Sequence, residues 1–336
     1  MKAIGYWAAG PIDRDDALVD LDLPAPTPGP RDLLVRIAAI SVNPVDAKIR
    51  ANAPPPQGAP RILGFDAAGT VESVGAEVTL FQPGDAVYYA GDVNRPGSCA
   101  ELHLVDERLV GRKPASLDWA QAAALPLTAI TAWEILFDRL RVPMGQEEGG
   151  SLLILNGAGG VGSILIQLAR RLTGLTVIAS ASRAETRAWV TDLGAHHVID
   201  HSRPLEGELQ RIGFSQVDLV ANLTDSESVL SSLPGIIAPR GVVAMITAPK
   251  ALDAASFMRK SVTIAFELIF TRPTFGGEDM IAQHEILEQI ARLVDAGVLR
   301  TTLTSTIQTL DAASLREAHR TVEGGRSIGK TVLLGF

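Results

Sequence analysis

The sequence predicts an α/β protein in which a β-rich domain accompanies a doubly wound parallel sheet. Short alternating apolar stretches, separated by turn residues, run from the start of the chain to about residue 120. From Ser151 onward, apolar strands alternate with helical segments, which is typical of a parallel sheet. At 336 residues the chain exceeds the size of one comfortable core, so two domains are expected.

The N-terminal part of the chain carries signals for strands, loops and one helix. Proline-rich segments at residues 24–30 and 54–56 are predicted to be loops rather than linkers, because patterned strands resume after each of them. The glycine-punctuated segment 64–75 predicts a bent pair of strands. Asp118 can cap a short helix that begins at Trp119.

The second part of the chain predicts a doubly wound sheet, because apolar strands are separated by segments of helical length. The predicted strands are residues 152–155, 176–180, 197–200, 217–221, 241–246 and 261–266. An amphipathic helix over 278–296, a helix over 315–323 and a closing strand over 331–334 complete the chain.

A G-x-G-x-x-G turn, Gly157 to Gly162, separates the first of these strands from a helix. Gly157 permits the tight turn, Gly159 lets the backbone approach a pyrophosphate, and Gly162 lets the helix pack closely on the strand. The free N–H groups of the first helical turn then face the dianionic pyrophosphate. The turn predicts a dinucleotide-binding site, and the alternative is a merely tight strand-to-helix turn.

The end of the second strand indicates which dinucleotide binds. An NAD site carries Asp or Glu about 20 residues after the glycines, where the carboxylate binds the ribose 2′-hydroxyl. This sequence has Ser180, Ser182 and Arg183 there instead. Two hydroxyls and a guanidinium can bind a 2′-phosphate, so NADPH is the predicted cofactor. The alternative for Arg183 is a solvated residue at the start of a helix.

Composition and charge argue against several classes of function. The net charge of −8 and the lack of a Lys/Arg block argue against a nucleic-acid partner. The longest nearly apolar run, residues 122–133, contains Pro126 and is too short to span a bilayer. The N-terminus shows no signal-peptide pattern, and a single cysteine, Cys99, permits no intrachain disulfide. A soluble cytoplasmic protein with no membrane partner is expected.

Several motifs occur together in a characteristic order. They are Ser41 to Asp46, Gly64 to Gly75, Phe81 to Asp85, Gly157 to Gly162 and Glu323 to Lys330. Together they resemble the medium-chain dehydrogenase/reductase superfamily over essentially the whole chain. The branch they resemble is the zinc-independent quinone oxidoreductases, whose bacterial members are filed as zinc-binding-alcohol-dehydrogenase-like proteins. The resemblance implies a discontinuous GroES-like catalytic domain, residues 1–125 and 271–336, with a Rossmann NADPH-binding domain, residues 126–270, inserted between.

The residues at the family's zinc positions do not suit a metal. Zinc-dependent members supply Cys and His in the first loop and Gly-His-Glu in the second. This sequence has Asn43-Pro44-Val45-Asp46 and Gly64-Phe65-Asp66 there. A catalytic zinc needs about three N, S or O ligands from the protein. We therefore expect no metal site.

Without zinc, the resemblance implies hydride transfer from NADPH to an activated small-molecule electrophile, a quinone or an α,β-unsaturated carbonyl. The charge delocalises into an enolate or a hydroquinone anion, so the protein aligns the acceptor and offers a donor to its oxygen. Lys48 is the candidate donor, and the alternative is a surface lysine. Asn43 can hydrogen-bond the substrate or nicotinamide ribose, or it is an ordinary turn residue. Asp46 holds Lys48 or the loop, or is purely structural.

The resemblance also implies the remaining cofactor contacts. Gly160 and Val161 give backbone N–H groups to the pyrophosphate, and Thr128 approaches the nicotinamide. His201 assists Arg183 at the adenosine phosphate, and the alternative is a plain loop histidine. Further expected contacts are Asn222, Thr224, Ile246 and Thr247 at the carboxyl ends of the sheet, Phe270 near the nicotinamide, and Lys330 at a phosphate.

Two other functions stay open at this point. Relatives of this branch serve as lens crystallins or bind RNA, so a non-catalytic NADPH-binding protein is one alternative. A zinc-dependent alcohol dehydrogenase is the other. The apolar segment 261–270 is expected at a sheet edge, where pairing with a second copy predicts a homodimer.

Overall fold

The computed structural model describes residues 1–145 and 149–336. In this part of the chain the strands are β1 (Lys2–Tyr6), β2 (Val19–Asp22), β3 (Asp32–Ser41), β4 (Arg61–Ile62), β5 (Ala67–Val74), β6 (Ala86–Tyr89), β7 (Leu102–Asp106), β8 (Val110–Arg112), β9 (Ser151–Leu155), β10 (Thr176–Ser180), β11 (His197–Ile199), β12 (Val217–Asn222), β13 (Ile237–Met245), β14 (Thr263–Phe266), β15 (Leu303–Ile307) and β16 (Lys330–Leu334).

The α-helices of the same part are α1 (Pro44–Asn52), α2 (Trp119–Ala123), α3 (Pro126–Trp133), α4 (Gly160–Leu172), α5 (Ala184–Asp192), α6 (Leu205–Arg211), α7 (Glu227–Ile236), α8 (Ala254–Met258), α9 (Thr271–Phe275), α10 (Ile281–Asp295) and α11 (Ala312–Glu323). Short 3-10 turns cover Glu107–Leu109 and Glu278–Met280, and a π-helical turn covers Glu134–Arg139. None of the helices described here is long and apolar enough to cross a membrane.

The chain divides into two compact units, Met1–Ile130 with Phe270–Phe336, and Thr131–Ile269. The first boundary falls a few residues later than the predicted one at residue 125. The boundary lies within α3, which begins at Pro126, a residue suited to the first turn of a helix.

The first unit is β-rich and is organised around β3. Along this strand, buried side chains alternate with partly exposed ones, as expected for a sheet with one solvated face. The sheet order is β15-β16-β3-β5-β6-β8, with β7 also paired to β3. The C-terminal strand β16 pairs antiparallel with the end of β3, so the tail of the chain completes this unit. A smaller sheet has the order β2-β1-β4.

The predicted pair of strands over residues 64–75 is wrong, because this segment forms the single strand β5. Gly64, with a φ of +114°, lies in the turn before the strand. Within the strand, a Cβ on Gly69 would lie 2.2 Å from the carbonyl oxygen of Arg36 on β3. The glycine therefore serves close strand approach, and register shifts between β3 and β5 bend the pair without reversing the chain.

The second unit confirms the predicted doubly wound sheet. Its strands are all parallel, in the order β11-β10-β9-β12-β13-β14. Every residue of β9 is buried, which agrees with an apolar strand covered on both faces. The last strand begins later than predicted because Ser261 has a φ of +53° and ends the preceding turn. As predicted, this strand lies at an edge of the sheet.

Candidate active and cofactor-binding site

The glycine-rich turn of the second unit connects the end of β9 to the start of α4 at Gly160. A Cβ on Gly162 would lie 2.6 Å from the carbonyl oxygens of both Asn156 and Gly157, so a side chain cannot be accommodated there. A Cβ on Gly157 would lie 3.0 Å from the Cβ of Ala179 on β10. The turn is therefore packed as tightly as a pyrophosphate-binding turn requires, with the first-turn N–H groups of a 13-residue helix directly after it.

Asn156 holds this turn in place, and the sequence analysis did not identify it. Its backbone has a φ of +61°, a left-handed conformation that Asn tolerates better than most residues. Its backbone N–H donates to Oγ of Ser180 at 2.9 Å, and its Nδ2 donates to the carbonyl oxygen of Leu223 at 3.3 Å. Asn156 thus joins the ends of β9, β10 and β12. An Asn directly before the first glycine of the motif was the available signal.

The residues predicted to bind a 2′-phosphate lie at the carboxyl ends of β10 and β11. Ser182 is half-buried, and the side chain of Arg183 is 30% exposed at the N-terminus of α5. The guanidinium of Arg183 forms an ion pair with Glu185 at 3.2 Å. Nδ1 of His201 lies 3.2 Å from Oγ of Ser180, which is itself 1% exposed. The structure places these groups at the ends of two adjacent parallel strands and adds a carboxylate, Glu185, that the sequence analysis did not consider.

A cleft of about 840 Å³ opens at the carboxyl ends of β12 and β13. Three of the predicted contact residues line it, namely Asn222, Thr224 and Thr247. Ile246, the fourth, precedes Thr247 and is half-buried. Apolar side chains of Leu230, Met245 and Phe257 and several hydroxyl and carboxylate groups also line the cleft. Such a mixture suits a largely organic ligand with a few polar groups.

A buried charged network in the first unit contains two of the predicted site residues. Lys330, 4% exposed, donates from Nζ to Oδ2 of Asp66 at 2.9 Å, to the carbonyl oxygen of Val42 at 3.0 Å and to Oδ1 of Asn43. Nδ2 of Asn43 donates to the same carboxylate oxygen at 2.8 Å. Each of these three side chains is therefore held by the other two. We call Lys330, Asp66, Asn43 and Asp46 the buried network.

The buried network ties four segments of the first unit together. Oδ1 of Asp66 accepts from the backbone N–H of Leu127 at 2.7 Å, in the first turn of α3. Asp46 accepts from the backbone N–H of Asn43 at 2.8 Å and of Gly64 at 3.0 Å. The predicted loop-holding role of Asp46 agrees with these contacts. Thr128, next to Leu127, is buried, and its hydroxyl donates to the carbonyl oxygen of Leu125 at 3.0 Å.

Burial dominates the protonation of the two carboxyls. It raises the pKa of Asp46 to about 7, with the positive charge of Lys330 opposing the shift. Burial also raises the pKa of Asp66, again against the charge of Lys330. Two buried carboxyls share one buried ammonium, so the network holds a proton on a carboxyl more readily than an exposed pair would.

The remaining predicted residues have contrasting surroundings. Lys48 is exposed on α1 and is not part of the buried network. Both ends of the Asn43 side-chain amide are used inside the network, and so is the ammonium of Lys330. Direct contacts of Asn43 with substrate and of Lys330 with phosphate stay predictions, while the observed partners give both residues a positioning role. The ring of Phe270 packs edge-on against Phe65, with centroids 5.1 Å apart.

These residues do not fit a catalytic zinc. Phe65 offers no donor atom, and the carboxylate of Asp66 and the amide of Asn43 already bind the Lys330 ammonium. Among the residues that the structure describes, no group of three or more His, Cys, Asp or Glu side chains could hold a metal ion. The donor set near Asn43 and Asp66 falls short of the three ligands that catalytic zinc needs.

Replacing Lys330 tests the buried network. Lys330→Met leaves the Asp66 carboxylate buried without its counter-charge, and breaking a buried pair from one side costs roughly 3–5 kcal/mol of unfolding free energy. Urea unfolding measures this loss. The double variant Lys330→Met/Asp66→Asn removes both charges and is expected to recover part of it. Lys48→Met is the control, with an expected change below about 0.5 kcal/mol. Equal stability of Lys330→Met and wild type would contradict the assignment.

Family models match both parts of the chain. The model for an alcohol dehydrogenase GroES-like domain matches residues 29–117, and the model for a zinc-binding dehydrogenase matches residues 193–333. Among curated relatives, a zinc-type alcohol dehydrogenase-like protein of Staphylococcus epidermidis is 39% identical over 336 residues, covering 99% of each chain. The chloroplastic NADPH-dependent alkenal/one oxidoreductase of Arabidopsis thaliana is 36% identical over 213 residues, or 60% of this chain and 53% of that protein.

Solved structures agree with this relationship. A Rhizobium etli protein, provisionally described as a zinc-dependent alcohol dehydrogenase, has a TM-score of 0.96 at 52% identity and covers 100% of this chain and 98% of its own. A mycobacterial protein complexed with NADPH has a TM-score of 0.85 at 27% identity, with both chains covered completely. The quinone oxidoreductase of Coxiella burnetii has a TM-score of 0.82 at 27% identity, covering 100% and 99% of the two chains.

The chain thus combines a GroES-like domain, a six-stranded parallel sheet with a glycine-rich turn, and a relative of 39% identity that spans nearly its whole length. It belongs to the medium-chain dehydrogenase/reductase superfamily, in the branch that contains the quinone oxidoreductases and the zinc-type alcohol dehydrogenase-like proteins.

Proposed function

We propose that this oxidoreductase transfers hydride from NADPH to a quinone or an α,β-unsaturated carbonyl without the help of zinc. The observation that carries the proposal is the composition of three neighbouring strand ends in the second unit. The tight Gly157–Gly162 turn follows β9, Ser182 and Arg183 follow β10, and His201 follows β11. A strand end of this composition suits a 2′-phosphate, because its donors include a guanidinium and an imidazole.

Residues at several strand ends of the sheet support the assignment of NADPH. The N–H groups of Gly160 and Val161 at the start of α4 suit the pyrophosphate. Arg183 is the proposed positive charge that binds the 2′-phosphate. Its guanidinium either breaks its ion pair with Glu185 or binds Glu185 and the phosphate together. The cleft lined by Asn222, Thr224 and Thr247 suits an organic ring with polar substituents. Bound NADPH supplies the hydride, and the protein supplies binding and orientation.

The proposed acceptors follow from the lack of fit for zinc. A catalytic metal would polarise the oxygen of an alcohol or ketone, whereas an enone or quinone delocalises the incoming charge itself. Lys48, exposed on α1, is the proposed donor to the acceptor oxygen. Two relatives support these acceptor classes by their descriptions, one as an alkenal/one oxidoreductase and one as a quinone oxidoreductase.

In this proposal the buried network keeps the first unit's site residues in place. Asp66 fixes the Asn43 amide and the first turn of α3, and Asp46 fixes the backbone at Asn43 and Gly64. The ammonium of Lys330 thus positions Asn43 and Asp66, and no metal is required for this positioning. Proper positioning of reactants lowers the barrier by reducing the entropy lost during reaction.

We also propose that the protein forms a homodimer through the edge strand β14. Phe266 is 52% exposed and Leu268 is 57% exposed, while Glu267 between them is buried in an ion pair with Arg139. Exposed apolar side chains beside unpaired edge groups favour pairing with a second copy.

Fluorescence titration with NADPH and NADH tests the cofactor assignment. Wild type is expected to prefer NADPH, and Arg183→Ala is expected to weaken NADPH binding by about 10- to 100-fold, the value of one hydrogen bond to a charged group. NADH binding should change little. Arg211→Ala, with the same loss of charge on α6 of the same unit, is the control and should leave both affinities unchanged. Equal affinities for the two cofactors in wild type would contradict the assignment, and binding of neither would contradict both the proposed function and the non-catalytic NADPH-binding alternative.

Sedimentation equilibrium at micromolar concentration tests the dimer. Wild type is expected to sediment as a dimer, and Phe266→Glu as a monomer, because a charge at the edge opposes strand pairing. Phe275→Glu, at a more exposed phenylalanine outside the strand, is the control and should stay dimeric. A monomeric wild type would refute the proposal.

A further inference from the structure

The hydroxyl of Ser180 links the glycine-rich turn after β9 to His201 after β11. Ser180 lies at the end of β10 and is 1% exposed, so it is poorly placed to contact a phosphate directly. Its Oγ accepts the backbone N–H of Asn156 at 2.9 Å and lies 3.2 Å from Nδ1 of His201. The side chain therefore connects the start of the glycine-rich turn to an exposed histidine after β11.

The direction of the second hydrogen bond follows from the burial of the hydroxyl. The Ser180 oxygen accepts from the Asn156 amide, and because Ser180 is only 1% exposed, its hydroxyl proton needs an acceptor within the protein. Among the described residues, Nδ1 of His201 is the acceptor that the contacts of Ser180 offer for that proton. A neutral imidazole that accepts at Nδ1 carries its own proton at Nε2.

We infer that Ser180 is a positioning residue that holds His201 in the tautomer presenting Nε2–H to the 2′-phosphate of NADPH. The inference rests on the proposed function, because it takes NADPH as the ligand. A phosphate has only acceptor oxygens at neutral pH, so it requires donors from the protein. The Nε2–H of His201 is such a donor without a positive charge of its own, and Arg183 adds the charge.

This arrangement changes the roles that the sequence suggested. Ser180 was predicted to contact the cofactor directly. In this inference it instead orients His201, and His201 contacts the phosphate. The same hydroxyl also supports the left-handed residue Asn156, so one serine aligns the pyrophosphate turn with the 2′-phosphate corner. A carboxylate at this strand end, as in an NAD site, would accept from Nδ1–H and favour the opposite tautomer, whose Nε2 has no proton to donate.

Two variants of His201 distinguish the role of its Nδ1 from the role of its Nε2. The amide nitrogen of Gln reaches the position of Nε2, and that of Asn reaches the position of Nδ1. His201→Gln is expected to keep the ratio of NADPH to NADH affinity within about threefold of wild type, and His201→Asn to lower it about tenfold. Ser180→Ala is expected to lower the ratio in wild type and to leave it unchanged in the His201→Asn background. Equal behaviour of the Gln and Asn variants, or an unchanged ratio in Ser180→Ala, would overturn the inference.

Nitrogen-15 NMR of the protein without cofactor provides a readout that does not depend on the proposed function. The His201 ring is expected to show an unprotonated Nδ1 and a protonated Nε2 at a pH where it is neutral. Ser180→Ala should lower the fraction of this tautomer, and Arg183→Ala should retain it. A protonated Nδ1 in wild type would refute the tautomer assignment. If the tautomer is as expected but NADPH does not bind, the proposed function fails while the hydrogen-bond assignment stands.

Discussion

The ion pair between Lys330 and Asp66 is the interaction on which the first unit depends. It lies almost fully buried, and both groups satisfy their remaining hydrogen-bonding capacity within the protein, through Val42, Asn43 and Leu127. A buried pair is tolerable only when its lone pairs and protons are satisfied in this way, since each charge loses its hydration. The consequence is a fixed junction of the loop after β3, the start of β5, the start of α3 and the start of β16. The same junction leaves little capacity for a metal.

In the second unit, uncharged side chains hold neighbouring strand ends together. The glycine-rich turn after β9 and the end of β10 are held together there by side-chain hydrogen bonds. Asn156 and Ser180 do this with short side chains that reach from one strand end to the next. Short polar side chains lose little conformational entropy when they are ordered, so they hold turns in place at a small cost in free energy. The two units therefore differ in the kind of polar group that positions their site residues.

The sequence was most informative where local pattern determines structure. The strand over residues 176–180 agrees with β10, and the glycine spacing predicted a turn that has no room for side chains at Gly162. The buried network was out of reach, because Lys330 is 264 residues from Asp66 and no local pattern marks that pairing. Lys330 was consequently assigned to a phosphate. The bent β5 was mistaken for two strands because a glycine that permits close approach resembles a glycine that permits a turn.

The most direct test of metal-independent hydride transfer from NADPH uses deuterium. Protein dialysed against a chelator would be mixed with (4R)- or (4S)-[4-²H]NADPH and an α,β-unsaturated ketone, and the product analysed by mass spectrometry and NMR. One of the two labelled cofactors is expected to deliver its deuterium to the β-carbon of the ketone, at a rate unaffected by added zinc. Failure of both cofactors to label the product, or activity that appears only after zinc is restored, would contradict the account.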